Sequence, residues 1–231
     1  MRDIRVQDGP TSRRPYVPRD LRLLPFRITV PQRINVRSRP PYLIVRHARL
    51  TVGDRGVAGV LRTTSPLRTA FDLARHVDRV EAVVALDALA HRRLVTVVDL
   101  AEYALAHPAL PGSRGIPDVL ALVEPLTESP METRLRVALI DGGLPRPVAQ
   151  VEVRDGGGRF IGRVDLAYPE HRVGIEYEKD HHRDSATFRA DLVRANAMHV
   201  ASWILLRVTH ADMYPDTDNL IEAIRRQIGP S

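Results

Sequence analysis

The chain has 231 residues, 44% hydrophobic and 27% charged, the mixture of a globular protein with apolar side chains enough for one large core or two small ones. It has no cysteine, which excludes disulfides, thiolate metal centres, iron–sulfur clusters and a cysteine nucleophile, and no run near the ~18 apolar residues of a membrane span, so a cytoplasmic location is expected. The formal charge of +6 is unevenly spread: residues 1–62 hold 14 Arg against Asp3, Asp8, Asp20 and Asp54, a local balance of +10, while the remainder is mildly acidic. Such a front section suits a polyanion, because each neutralised phosphate releases counterions. A solvated, arginine-biased surface is the plain alternative.

Residues 1–22 are polar, rich in Pro and Arg and without a period; they read as a basic flexible arm. Short β-type runs follow (PFRITV, PYLIVRH, GVAGVLRTT), broken by Pro31, Pro40, Pro41 and the Gly53-Asp54 turn signal. Ser65-Pro66, a cap and a proline at the first helical position, opens a helix over 66–76 with Leu67, Ala70, Phe71 and Ala74 on one side. Further helices are expected over 79–91, 97–106 and 116–123, so that 23–127 reads as a β-plus-helical module. From 128 to 231 the expected order is α-β-β-β-α-β-α: a helix to about Ile140, a hairpin of 148–153 and 159–168 around Asp155-Gly156-Gly157-Gly158, a strand 173–178, a polar helix 185–200, a strand 203–209 and a closing helix 216–228. That alternation defines an α/β layered domain.

The chemistry-bearing block is Arg163-Val164-Asp165 followed by Val173-Gly174-Ile175-Glu176-Tyr177-Glu178. Side chains alternate along a strand, so Glu176 and Glu178 share one face and the apolar Val173, Ile175 and Tyr177 the other. Asp165 sits out of phase with Val164 and Leu166. If these strands pair through 169–172, three carboxylates converge, and such a cluster needs a cation to offset their repulsion. Hard oxygen ligands suit Mg²⁺ or Mn²⁺.

The run Glu176-Tyr177-Glu178-Lys179-Asp180-His181-His182-Arg183, after Arg163-Val164-Asp165, resembles the E-x-D-G-x-x-H-R block of the DUF559 domain. That group belongs to the PD-(D/E)xK nuclease superfamily, near the very-short-patch repair endonucleases. Ser129-Pro130-Met131-Glu132 resembles its S-x-x-E helix start, Gly143-Leu144-Pro145 its G-L-P, Asp191-Leu192-Val193-Arg194 its D-x-x-R helix, and Trp203–Thr209 its W-x-V-L-R-V-T strand. Upstream, Thr63–Ala74 and Ala85–Leu94 look like the middle segment of actinobacterial proteins resembling abortive-infection type IV antitoxins. The resemblance implies a restriction-endonuclease-like domain and a metal-dependent DNA endonuclease in repair or phage defence. It places Asp165, Glu176 and Glu178 as metal ligands, Glu132 and His182 beside them in catalysis, and Arg163, Lys179, Arg183 and Arg194 on the substrate. DNA is the implied partner, with a second copy of the chain or a toxin or defence-operon protein as further ones.

The departures matter. Glu178 stands where the superfamily has lysine and the DUF559 pattern usually has Asp, so positive charge for the transition state must come from metal, His182 or an arginine. Lys179 replaces a glycine. A catalytically inactive nucleic-acid-binding or antitoxin-type regulator with the same fold is therefore the rival reading. Several residues also have plain structural roles open to them: Glu132 as the far end of a capping box, Asp191 and Arg194 as an i,i+3 pair, His181 and His182 as solvated loop residues, Arg207 as an ion-pair residue. Asp165 and Glu176 resist such readings best, since acidic groups in apolar strands are costly without partners.

Overall fold

In the computed structural model the described residues are 26–40, 42–178, 185–214 and 217–229. The chain separates into two compact units, 1–64 and 65–231. Within the first, β1 (Phe26–Pro31) pairs in parallel with β2 (Leu43–Ala48), and β3 (Arg55–Ala58) pairs antiparallel with β4 (Leu61–Thr64). The run GVAGVLRTT is thus a hairpin rather than one strand. It turns at Gly59, whose φ of 60° lies in the left-handed region that glycine tolerates. Its tip is apolar and wet, with Val57, Val60 and Leu61 all exposed.

The second unit is mixed α/β. Its helical part comprises α1 (Pro66–His76), α2 (Arg79–His91), α3 (Val97–Leu105) and α4 (Ile116–Leu120). Each of the first three opens on a side-chain cap, from Ser65, Asp78 and Thr96, the first as the Ser65-Pro66 signal predicts. Then come α5 (Pro130–Asp141), β5 (Val148–Arg154), β6 (Phe160–Tyr168), β7 (Val173–Tyr177), α6 (Ser185–Val200), β8 (Ile204–Val208), the short α7 (His210–Met213) and α8 (Asp218–Ile228). The four strands form one sheet in the order β5-β6-β7-β8. The β5–β6 and β6–β7 pairs are antiparallel; β7 and β8 are parallel, joined by the crossover helix α6.

Three apolar clusters hold this unit. Phe71, Val83, Leu86, Leu100 and Ile116 fill the space between the helices α1–α4, and Val137 of α5 belongs to the same cluster. The sequence-based boundary after residue 127 therefore falls where a shared core runs through, and the division at Thr64/Ser65 is the one the contacts make. The other side of α5, with Leu135 and Leu139, packs with Ile221 and Ile224 of α8 on Leu166, Ile175 and Val208 of the sheet. Met198 of α6 covers the opposite face over Val153, Val164 and Ala167. The sheet is thus sandwiched, α5 and α8 on one face and α6 on the other.

The β5–β6 hairpin contains one irregular pair. Ala149 pairs with Leu166 and Val151 with Val164, leaving Gln150 beside Asp165 outside the regular pairing. Gln150 has φ 55°, rare for a non-glycine residue inside a strand. Positions two apart on a strand normally share a face, yet Ala149 packs under α5 and Val151 under α6, and Leu166 and Val164 divide the same way. Both strands switch faces at this pair. Strict alternation, from which Asp165 was expected opposite to both Val164 and Leu166, fails there.

Candidate functional site

A cavity of about 450 Å³ lies between residues of α5, α6 and the sheet, and Asp165 of the irregular pair is part of its wall. Ser129, Glu132, Arg163, Asp165, Glu176 and Glu178 line it, together with Tyr177, Asp191, Arg194 and Arg207. Every described residue expected at the site reaches this one cavity. Lys179, His182 and Arg183 lie outside the described residues.

Each carboxylate arrives by a different local device. Ser129 caps α5 by accepting the Glu132 N–H at 3.2 Å, which fixes the first turn. The Glu132 side chain does not close the capping box in return. Its Oε2 accepts the Glu128 N–H at 3.0 Å and the Gln150 Nε2–H at 3.0 Å, in a nearly buried position. Asp165 accepts the Tyr177 N–H at 3.0 Å, a link from β6 to β7 just past their ladder. Burial holds the Asp165 carboxyl above the usual aspartate range; the Tyr177 N–H opposes this and the neighbouring Glu132 charge adds to it. Glu176 lies opposite Arg207 in the parallel register, on the α6 side of the sheet. Glu178 continues the ladder through its N–H to the Val208 carbonyl, and its carboxylate pairs with Arg207 Nε at 3.1 Å.

Two arginines supply the positive charge. Arg194 crosses from α6 to ion-pair with Glu176, and among the described residues its buried Nε has no hydrogen-bond partner. It can do so because position 162 is glycine: a Cβ there would stand 2.6 Å from Arg194 Nε. Burial pulls the Arg194 guanidinium below its ordinary pKa, and the like charge of Arg207 works in the same direction. The helix motif Asp191-x-x-Arg194 thus contributes an arginine aimed at a strand carboxylate. Arg163 sits at the rim, donating to Glu128 at 2.9 Å.

The donor chemistry fits a hard divalent cation, since among the described residues the cavity offers carboxylate oxygens and no softer ligand, and burial holds the Asp165 carboxyl above its ordinary range. Among the described residues, however, no three acidic side chains stand as a ready-made ligand group. Glu176 and Glu178 are turned toward Arg194 and Arg207 instead. A cation at Glu176 and the Arg194 guanidinium would compete for the same oxygens.

Sequence reasoning missed Gln150. It is a polar residue in an apolar strand, but counting outward from the Arg154–Phe160 pair sets it opposite Val164; the register shift between Val153 and Arg154 is what brings it beside Asp165. Arg207, read as an ion-pair residue, is one, but its partner Glu178 makes it part of the site.

An α/β chain with an acidic cavity at a sheet end is the class that fold and site define. The comparisons identify its kin. Two uncharacterized proteins of Mycobacterium tuberculosis, from the CDC 1551 / Oshkosh and the H37Rv strains, are each 32% identical over 197 residues, covering 84% of this chain and 71% of the relative. The chain belongs to the family of these mycobacterial proteins. No protein-family model and no solved structure matches it.

Proposed function

We propose that this protein is a divalent-metal-dependent endonuclease of the DUF559 group within the PD-(D/E)xK superfamily, hydrolysing phosphodiester bonds of DNA. One observation carries the reading: Glu132, Asp165, Glu176 and Glu178 line a single cavity together with Arg194. The order α5, antiparallel β5-β6-β7, crossover α6 and parallel β8 agrees with that superfamily assignment. Asp165 and Glu176, joined by Glu178, would hold Mg²⁺ or Mn²⁺, which when bound polarises a phosphoryl oxygen and lowers the pKa of a water. Glu132, held by Glu128 and Gln150, is placed to orient that water, and Arg194 supplies the positive charge that Glu178 cannot. His182, Lys179 and Arg183 belong to the same proposal as groups for the scissile phosphate.

A second reading has its own observation. Glu176 and Glu178 are each neutralised by an arginine, which suits a catalytically silent, nucleic-acid-binding or antitoxin-type regulator. Nicking of supercoiled plasmid in Mg²⁺ or Mn²⁺ decides between them. The enzyme reading expects cleavage by the wild type and none by Asp165→Ala; a wild type inert in both metals, yet able to bind DNA, selects the silent regulator.

A further inference from the structure

A second groove, about 700 Å³, runs beside the acidic cavity along the outer side of α6. Its β6 wall is Arg159, Phe160 and Ile161, and its helix wall is built on Arg189, Val193 and Arg194. Arg194 belongs to both walls at once: it lines this groove and the acidic cavity. The two depressions therefore meet at one side chain.

The chemistry of the groove is unlike that of a core-facing cleft. Phe160 is 51% exposed and Val193 63% exposed, so large apolar side chains on both walls of the groove stand in water. Arginines flank it. Arg159 is 83% exposed and ion-pairs with Asp155 in the hairpin turn; Arg189 is exposed on the helix; and Arg154, paired with Glu152, approaches the Phe160 ring at 6.0 Å from its centroid. Among the described residues no carboxylate lines the groove. An open aromatic face between cations is the arrangement that binds unpaired nucleotides: bases stack on the ring while arginines meet the phosphates. A duplex hides its base faces and offers nothing for Phe160 to stack on.

Resting on the nuclease reading, we infer that this groove is the binding track for a single-stranded stretch of nucleic acid, which passes Arg194 into the acidic cavity. Phe160 stacks a base, and Arg159 and Arg189 hold the phosphates on either side. The track would thus feed unpaired or flipped-out nucleotides to the carboxylates, and sets the substrate class as single-stranded or locally melted.

The test is binding by the full chain, in EDTA so that cleavage plays no part, of fluorescent oligo-dT, oligo-U and a duplex of equal length. The track predicts tighter binding of the single strands. Phe160→Ala should weaken oligo-dT binding about tenfold, in line with the loss of one stacked base, and Phe160→Trp should restore it. Arg189→Ala should flatten the slope of log K against log salt by about 0.7, one single-strand phosphate contact. The ratio of oligo-dT to oligo-U affinity tells whether the strand is DNA or RNA. Phe160→Ala and Arg189→Ala proteins that keep wild-type affinity and salt slope would overturn the track, even if plasmid is nicked. Lost oligo-dT binding in these variants, beside a wild type that never cleaves, would keep the track and remove the nuclease. A wild type that binds no oligonucleotide removes both.

Discussion

At position 162 the lack of a side chain is what admits Arg194 to Glu176, because an alanine Cβ would fall 2.6 Å from the arginine Nε and 3.1 Å from its Cδ. Those atoms sit partway along the side chain, so a small bend at the guanidinium does not relieve the contact. Gly162→Ala should therefore displace Arg194 and leave Glu176 without its cation. The metal proposal turns this into a measurable competition. Arg194→Gln, which removes the rival positive charge while keeping a polar side chain, should tighten Mn²⁺ binding on the order of tenfold in calorimetry, since nearby unit charges at partly exposed sites interact by a few kcal/mol at most. Unchanged Mn²⁺ affinity in Arg194→Gln would show that metal and arginine do not share Glu176. The alternation of Glu176 and Glu178 against Val173, Ile175 and Tyr177 was legible from the sequence, because β7 is regular. Gln150 was not, because the left-handed backbone at that position breaks the period on which such reading depends.

At the scale of elements, α5 is the joint between the helices and the sheet, and its inner contacts are ionic as well as apolar. Arg136 is fully buried; it donates to Asp87 Oδ2 of α2 at 2.7 Å and to the Leu122 carbonyl, while Thr133 Oγ1 donates to the same carboxylate oxygen at 2.8 Å. Asp87 also accepts the Glu124 N–H at 2.7 Å, which ties down the loop before α5. Burial nonetheless pushes the Asp87 carboxyl above its ordinary value, outweighing the attraction of Arg136. The sign follows: a carboxyl whose folded pKa exceeds its unfolded one stabilises the fold fully below the unfolded pKa, and loses that contribution as pH rises through the folded pKa. Once Asp87 is ionised the pair is then a weak stabiliser, though an unpaired Arg136 would be costly. Asp87→Ala should cost about 3–5 kcal/mol in urea unfolding, whereas Asp87→Leu with Arg136→Met should stay close to wild type or exceed it. Equal loss in single and double variants would refute this account. None of this joint was visible in the sequence. The capped starts of α1 and α5 and the hairpin turn at Asp155 were, because capping and turn chemistry are local, whereas the partnership of Asp87 with Arg136 spans 49 positions.

For the whole molecule, the charge is divided much as the fold is. The cut between the compact units falls at Thr64/Ser65, and the arginine excess ends almost at the same point, with Arg62 the last of the 14 arginines that give residues 1–62 their +10 balance. A basic unit and a mildly acidic unit carrying the carboxylate cavity have opposite preferences toward a polyanion. The acidic unit repels phosphates except where Arg189, Arg194 and their neighbours offset its charge, so long-range attraction must come from the first unit. This separates two measurable quantities. A chain beginning at Ser65 should lose affinity for duplex DNA at low salt and show a flatter dependence of log K on log salt, by about 0.9 for each phosphate contact the first unit had made. Its preference for oligo-dT over duplex should persist, because that selectivity is assigned to Phe160 and α6 rather than to net charge. Circular dichroism and a cooperative melt establish that the shortened chain is folded before affinities are compared. Full-length affinity and an undiminished salt slope in a folded chain beginning at Ser65 would remove the first unit from nucleic-acid binding, and leave its arginines as ordinary solvated surface.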